Sequence, residues 1–138
     1  MGRITLETAG RLVAKGLSMA AVDYGRPICI AVVDGHGDLI AFGRQENAPV
    51  RSIAISQGKA YTAARMGVNT DAFLERLHRE QVLAGDFCDP KFTSLPGGAV
   101  LKSDTGAVIG AVGISGLKVE EDQAIANMLA SLAASGSA

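Results

Sequence analysis

Two basic side chains and a glycine pair are the residues of this chain best suited to holding an anion. Arg44 follows a short apolar run, Lys59 and Thr62 lie one turn apart in a helical stretch, and Gly97-Gly98 follow a proline. When an Arg and a Lys converge on the backbone amides of a glycine loop, they form a pocket for a carboxylate or a carbonyl oxygen. These five residues are therefore the candidate ligand-binding residues.

Each of these residues also has a purely structural interpretation. Arg44 can form an ion pair with a carboxylate close to it in the chain, the candidates being Asp34, Asp38 and Glu46. The glycine pair can be a tight turn that enters a strand. The sequence leaves both interpretations open.

Acid–base chemistry needs a titratable side chain near such a pocket, and the candidates are His36, Glu46 and Lys59. For a small carboxylated substrate, Arg44 and Lys59 would hold the carboxylate. The amides of Gly97-Gly98 would stabilise a developing oxyanion, while His36 or Glu46 moved the proton. The two histidines lack the spacing of a metal site, so no metal is predicted.

Composition limits the class of protein to which the chain belongs. A length of 138 residues with 48% hydrophobic side chains predicts a single domain over 1–138. A net charge of −1 and an aromatic content of 4% argue against nucleic-acid binding. No apolar run approaches the roughly 20 residues of a membrane span, and no signal peptide precedes the domain. A cytoplasmic protein is expected.

Hydrophobic periodicity predicts the elements that must position these residues. The predicted helices are residues 5–23, 49–66, 69–82 and one that opens at about residue 120. Strands are predicted at 28–33 and 39–44, and a second, glycine-rich hairpin turns at 104–106. The expected fold is α+β, with an antiparallel sheet of four to five strands flanked by helices. The element order is helix, hairpin, helix, helix, hairpin, helix.

The helix at 49–66 has two chemically different faces. Its predicted core face is apolar and consists of Val50, Ile53, Ala54, Ala60, Tyr61 and Ala64. The opposite face is mixed and carries the polar residues Ser52, Ser56, Lys59 and Thr62. It is expected either to lie under a ligand or another subunit, or to be partly exposed. The glycines at 110, 113 and 116 predict that a helix or a neighbouring subunit packs closely there.

Several motifs occur in an order that is typical of one family. Val-Asp-Gly-His-Gly-Asp-Leu at 33–39, followed by Arg44, is similar to the pattern Val-Asp-x-x-Gly-x-Leu…Arg. Lys-Ala-Tyr-Thr-Ala at 59–63 is similar to a Lys-Ala-x-Thr-Ala helix. Pro-Gly-Gly at 96–98, then 108–116 with an acidic pair close behind, is similar to the C-terminal half. Together they resemble the GlcG/HbpS-like haem-binding family, which includes the C-terminal domain of PduO-type proteins.

The resemblance implies a small homo-oligomeric domain with an antiparallel sheet between helices. It implies binding of a small molecule, with haem as the possible cofactor, or a part in the metabolism of haem or small acids. An exposed histidine such as His36 can serve as a haem ligand. The family often has Asp-Gly shortly after the Arg, where this chain has Glu46-Asn47. A ligand contact made by that Asp is therefore in doubt here.

Two other functions stay open. Some members of the family resemble lyases for hydroxylamino-aromatic acids. This likeness implies a cofactor-independent lyase or isomerase acting on a small carboxylated substrate. The third hypothesis is a structural assembly partner whose glycine ribbon forms an interface between subunits.

Overall fold

The computed structural model describes residues 3–136 of the chain. Its elements are α1 (Leu6–Met19), a π-helical stretch (Ala20–Tyr24), β1 (Cys29–Asp34), β2 (Leu39–Arg44), α2 (Arg51–Met66), α3 (Thr70–Glu80), a 3₁₀ turn (Ala84–Phe87), β3 (Gly98–Lys102), β4 (Val108–Ser115) and α4 (Val119–Ala134). The predicted α+β class and element order are confirmed. None of the helices within residues 3–136 combines the length and the hydrophobicity that a membrane span requires.

The strands form one antiparallel sheet of four strands in the order β2-β1-β4-β3. Strand β1 is interior, and Cys29 at its start is paired with Arg44 on β2 and with Ser115 on β4. Gly98 on β3 is paired with Gly113 on β4. Because β1 is covered on both faces, its sequence is a continuous apolar run rather than an alternation.

Helices cover both faces of the sheet. Helices α1 and α4 cover one face over a core that includes Leu12, Ile30, Val32, Ile114 and Leu129. Helix α2 covers the other face, with α3 beside it, over a smaller core that includes Ala31, Val33, Ala60, Ala63 and Ala111. Successive residues of β1 therefore point to different cores, as the two-residue period of a strand requires.

The helix ends lie near the residues that predict them. Thr5 Oγ1 accepts a hydrogen bond from the backbone N–H of Thr8 at 3.1 Å and caps α1. Gly25 and Gly67 follow the π-helical stretch and α2 with left-handed φ angles of 63° and 70°. Both glycines therefore end their helices as predicted. Helix α3 ends at Glu80, earlier than the predicted residue 82.

The predicted orientation of α2 is wrong in part: Ala60 and Ala64 of the predicted core face are buried, but so are the polar residues of the opposite face. Val50 is 72% exposed, while the polar residues Ser52, Ser56, Lys59 and Thr62 are all buried. The cause is that each polar group finds a partner within the chain, so its burial leaves no hydrogen bond unmade. Ser52, for example, accepts a hydrogen bond from the hydroxyl of Ser115 at 3.0 Å. The chain's own sheet, and not a ligand or another subunit, covers this polar face.

Glycines in β3 and β4 allow α2 to lie this close to the sheet. A Cβ atom on Gly113 would overlap the backbone of α2 at Ser56 and Ala60, and one on Gly98 would overlap the carbonyl group of Lys59. The close packing predicted for the glycine ribbon, residues 108–116, is therefore confirmed at Gly113, where the neighbour is a helix of the same chain. The ribbon at Gly113 is consequently not free to serve as an interface between subunits.

Candidate functional site

Lys59 lies where α2, β4 and α4 meet. Its side chain is 1% exposed, and its Nζ donates to Asp122 Oδ2 at 3.0 Å and to the carbonyl oxygen of Ile114 at 2.7 Å. Asp122, in the first turn of α4, is 2% exposed, and its Oδ1 accepts from the N–H of Leu117 at 3.1 Å. The two charges are therefore satisfied inside the protein.

Burial affects the two partners in opposite directions. Loss of solvent lowers the pKa of Lys59, although Asp122 acts to raise it. The same loss raises the pKa of Asp122, although Lys59 acts to lower it. Desolvation thus outweighs the attraction between the charges, as is common for buried ion pairs. The pair therefore joins α2 to α4 inside the core. This arrangement gives no support to the catalytic and ligand-binding roles predicted for Lys59.

The Gly97-Gly98 loop is also occupied from within. The N–H of Gly97 donates to Gln123 Oε1 at 2.6 Å, and the N–H of Gly98 donates to Thr70 Oγ1 at 2.8 Å. Gln123 Nε2 in turn donates to the carbonyl oxygen of Gly98 at 2.9 Å. The prediction that this loop exposes its backbone amides is therefore wrong, and its role in ligand binding has no support from these contacts.

The other predicted site residues do not converge on Lys59. Thr62 is buried, and its Oγ1 accepts from the N–H of Thr93 at 3.0 Å. Arg44 is exposed at the end of the edge strand β2, and β1 separates it from the strand that Lys59 contacts. Two strand spacings amount to about 10 Å. Glu46 is exposed in the following loop, and in residues 3–136 neither it nor Arg44 forms an ion pair. The anion pocket predicted from these residues is therefore not assembled here.

His36 lies in the turn between β1 and β2, and its backbone is held on both sides. Its N–H donates to Asp34 Oδ1 at 2.8 Å, and its carbonyl oxygen accepts from Arg65 Nε at 2.8 Å. Asp34 Oδ1 also accepts from the N–H of Asp38 at 3.0 Å, which closes the turn. Within the described residues, the imidazole ring itself has no hydrogen bond or ion pair. The backbone of His36 is therefore held in place, while its side chain is chemically unengaged.

The side of the turn that faces α1 opens into a cavity of 530 Å³ that His36 lines. One side of the wall is aliphatic and includes Ile4, Ile40, Val108 and Ile109, while the rest is polar and includes Asp34, whose carboxylate accepts hydrogen bonds from the turn. Arg3 also lines the cavity and is its cationic residue. An imidazole, a guanidinium and an apolar wall form a combination that can hold a flat apolar molecule with acidic substituents. In residues 3–136, no group of three or more His, Cys, Asp or Glu side chains could hold a bare metal ion.

A second depression, of 590 Å³, lies on the α2 side of the same turn. Tyr61 is its central aromatic residue, and its OH donates to Asp89 Oδ2 at 2.7 Å. That hydrogen bond is the main cause that raises the pKa of Tyr61 and lowers the pKa of Asp89. The Nζ of Lys91 lies 5.2 Å from the centre of the Tyr61 ring. The 34–38 turn therefore stands between two depressions on opposite faces of the sheet.

Several residues at these sites have no signal in the sequence that singles them out. Arg3 and Arg65 occur in no quoted motif, and Tyr61 stands at the variable position of the 59–63 motif, which assigns it no chemistry. Asp122 belongs to the acidic pair that follows the 108–116 motif, and its charge also suits the start of a helix, but neither feature predicts a partner for it. A lysine on a helix that packs against a sheet requires a buried acidic partner, and this requirement is the one signal that leads to Asp122.

These observations define a small α+β domain whose polar residues on α2 are used for folding and whose openings flank the first hairpin turn. The chain belongs to the family described as "Haem degrading protein HbpS-like", whose model matches residues 4–130. It is 32% identical to an uncharacterised 15.0 kDa protein from the dhaT-dhaS intergenic region of Citrobacter freundii, over 89% of this chain and 87% of that protein. It is also 32% identical to the corrinoid adenosyltransferase PduO of Salmonella typhimurium, over 80% of this chain. The alignment spans 34% of the length of PduO.

Two solved structures share the fold over nearly the whole chain. A double mutant of Streptomyces reticuli HbpS is 26% identical, with a TM-score of 0.85 over 96% of this chain and 88% of that one. The complex of PduOC with haem is 25% identical, with a TM-score of 0.80 over 94% of each chain. PduOC is thus a relative whose structure contains bound haem.

Proposed function

We propose that this chain binds haem in the 530 Å³ cavity, with the imidazole of His36 as an iron ligand. The observation that carries the proposal is an imidazole with no partner within the described residues, on a hydrogen-bonded turn that lines a cavity with an aliphatic side and a cationic residue. Histidine is a common haem ligand in proteins. The haem-bound relative PduOC supports the choice of ligand.

The residues that line the cavity fit the macrocycle and the propionates of haem as well as its iron. The side chains of Ile4, Ile40 and Ile109 suit the apolar macrocycle, and Arg3 suits a propionate. The volume is in the range of about 300–1,000 Å³ that is typical of small-molecule sites. Bound haem would supply redox and oxygen chemistry, which its iron ligand and the polarity of the pocket tune. This chain's contribution is the imidazole, the cation and the exclusion of water by the aliphatic wall.

Titration with haemin, followed by absorbance in the Soret region, tests the proposal. The chain contains two histidines, and the second, His78, is exposed on α3. We expect His36→Ala to weaken haemin binding by about tenfold or more, because a metal–ligand bond is lost. The matched control, His78→Ala, should bind as the wild type does. If the wild type shows no saturable spectral change, the proposal is wrong. If His36→Ala binds with unchanged affinity and spectrum, His36 is not the ligand.

Metal-free protoporphyrin separates the pocket from the iron ligand. Since it has no iron, His36→Ala should bind it nearly as well as the wild type does. Arg3→Gln should weaken binding of the free acid but not of the dimethyl ester, because only the acid carries propionate charges. Arg26→Gln, at an exposed arginine that does not line the cavity, is the control. Equal losses for the acid and the ester would exclude the assigned role of Arg3.

We also propose that the chain self-associates, as its resemblance to an oligomeric family implies. The supporting observation is a set of large apolar side chains at the surface, with Val22 at 79%, Leu83 at 74% and Val50 at 72% exposed. Exposed apolar side chains mark an interface only where they form one contiguous patch, and these three belong to separate segments of the chain, so the resemblance carries most of this proposal. Native mass spectrometry reports the subunit number and any retained ligand together. A monomer at all accessible protein concentrations would contradict the proposal that the chain self-associates.

The lyase or isomerase hypothesis receives less support from the geometry. Lys59 is paired with Asp122, and both amides of Gly97-Gly98 are bonded inside the chain. Arg44→Ala is the informative variant, because Arg44 is exposed and its loss leaves the core intact. Turnover of a small carboxylated substrate by the wild type, lost in Arg44→Ala with the assembly unchanged, would favour this hypothesis over haem binding.

A further inference from the structure

The turn that carries His36 is attached to α2 as well as to its own strands. The hydrogen bonds from His36 and Asp38 to the carboxylate of Asp34 fix the internal shape of the turn. The position of the turn relative to the rest of the domain also depends on neighbouring elements. The start of the turn packs on the backbone of β4, and Arg65 and Tyr61 of α2 supply further contacts.

Arg65 makes the polar part of this attachment. Its Nε donates to the carbonyl oxygen of His36 at 2.8 Å. Its guanidinium carbon lies 5.0 Å from the centre of the Tyr61 ring, a distance at which a cation and an aromatic ring attract each other. The ring therefore limits the conformations open to the Arg65 side chain and keeps its donor aimed at the turn.

The ring of Tyr61 makes the apolar part. Gly37, with a φ of 93°, packs so closely on the ring that a Cβ at this position would lie 2.9 Å from Tyr61 Cδ2. The far side of Tyr61 is fixed by its hydrogen bond to Asp89 and by an edge-on contact with Phe92, whose ring centre is 6.1 Å away. The turn thus rests on a ring that is itself held by a neighbouring loop.

We propose that Arg65 and the Tyr61 ring are positioning residues, which hold the 34–38 turn in place and so fix where the imidazole of His36 stands in its cavity. For its effect on haem, this inference rests on the proposed function. Its structural part does not, because the position of the turn can be measured without any ligand. Neither residue lines the cavity that His36 lines, so both act through the turn and not by contact with the ligand.

Three variants test separately the contacts by which Arg65 and Tyr61 hold the 34–38 turn, which together are called the clamp. Arg65→Met keeps an unbranched side chain over the ring but removes the donor to His36. Tyr61→Leu removes the ring, and Tyr61→Phe keeps the ring while removing the hydrogen bond to Asp89. Arg76→Met is the matched control, since Arg76 also lies over an aromatic ring, Phe87, at 5.3 Å, but belongs to α3.

Backbone order parameters from NMR of the ligand-free protein are the first readout. Rigid backbone gives values of about 0.85 and flexible backbone values below about 0.6. We expect residues 35–37 to be rigid in the wild type, Tyr61→Phe and Arg76→Met. We expect the order parameters of residues 35–37 to fall toward the flexible range in Arg65→Met and Tyr61→Leu, while those of strand β1 stay unchanged. If these residues stay rigid in both of the latter variants, the positioning role is refuted.

Haemin affinity is the second readout. We expect Arg65→Met to weaken binding by about fivefold, the effect of losing one hydrogen bond from a charged donor that is partly solvated. Metal-free protoporphyrin should bind Arg65→Met unchanged, because it does not use the imidazole. A mobile turn with unchanged haemin affinity would refute the link to His36. If the wild type does not bind haemin, the proposed function fails, and the order parameters alone still decide whether the clamp exists.

Discussion

The buried pair formed by Lys59 and Asp122 allows a quantitative prediction about stability. Lys59→Met keeps most of the side-chain volume but removes the donor to Asp122 Oδ2 and to the carbonyl oxygen of Ile114. A carboxylate that is 2% exposed is then left without its counter-charge. Breaking a buried ion pair by removing one partner costs about 3–5 kcal/mol. We expect Lys59→Met to lose about 4 kcal/mol of a total that is about 5–15 kcal/mol for a domain.

The double variant Lys59→Met with Asp122→Asn decides whether this loss arises from the pair. Asn can still accept the hydrogen bond from the N–H of Leu117. With neither charge present, no desolvation cost remains, and apolar or neutral replacements of buried pairs are often nearly neutral. We expect the double variant to lose about 2 kcal/mol, well below the sum of the two single losses.

Urea denaturation followed by circular dichroism at pH 7 measures these free energies of unfolding. Lys15→Met, at an exposed lysine on α1, is the control and should change stability by less than about 0.5 kcal/mol. If the free energy of unfolding falls with urea concentration at the same slope in all variants, their unfolded states are comparable. Single losses that simply add in the double variant would refute the reasoning, since the two residues would then act independently.

The same pair predicts how stability depends on pH. In the folded wild type, the pKa of Asp122 is raised above its ordinary value by burial, and Lys59 opposes the rise. Removing Lys59 therefore raises this pKa further. A carboxyl group that binds its proton more tightly when folded gains stability as pH falls through its folded pKa, down to its unfolded value. The deficit of Lys59→Met relative to the wild type should therefore shrink as pH falls from 7 toward 4. A constant deficit would contradict this account.

Four further outcomes can be measured, three of them on single variants and one on the wild type. Gly113→Ala should destabilise the domain by about 3 kcal/mol or more, because its methyl group overlaps the backbone of α2. Gly10→Ala, in open space on α1, should stabilise the domain by up to about 1 kcal/mol. Thermal unfolding measures both changes. Thr5→Ala should cost about 1 kcal/mol by loss of the α1 cap, and an unchanged melting temperature would contradict this. Iodoacetamide should label the exposed Cys88 in the native protein and leave the buried Cys29 unlabelled until denaturant is added.

The fold could be predicted from the sequence because local signals determine its elements. Thr5, Gly25 and Gly67 have capping roles that depend only on backbone geometry near them in the chain. The hairpins follow from short apolar runs on either side of turn residues. The orientation of α2 could not be obtained in this way. Its more polar face is buried because partners such as Asp122, which are distant in the chain, satisfy its polar groups.

The candidate site was less predictable for the same reason. His36 could be selected as a titratable residue in a turn, but its cavity includes Arg3 and Ile109, which lie far from it in sequence. Lys59 and the Gly97-Gly98 pair have the residue types of an anion site, yet their hydrogen-bonding capacity is used within the domain. Composition shows which groups a chain contains, whereas only the contacts show which of them remain free to bind.

The buried pair also has a consequence for the order in which the domain forms during synthesis. Asp122 follows Lys59 by 63 residues, so at about 5–20 residues per second it is translated about 3–13 seconds later. Until β4 and the start of α4 have emerged from the ribosome, α2 lacks both the strand that buries Lys59 and the carboxylate that pairs with it. The nascent chain should therefore keep α2 and its sheet loosely associated and exposed to chaperones until the start of α4 completes the pair.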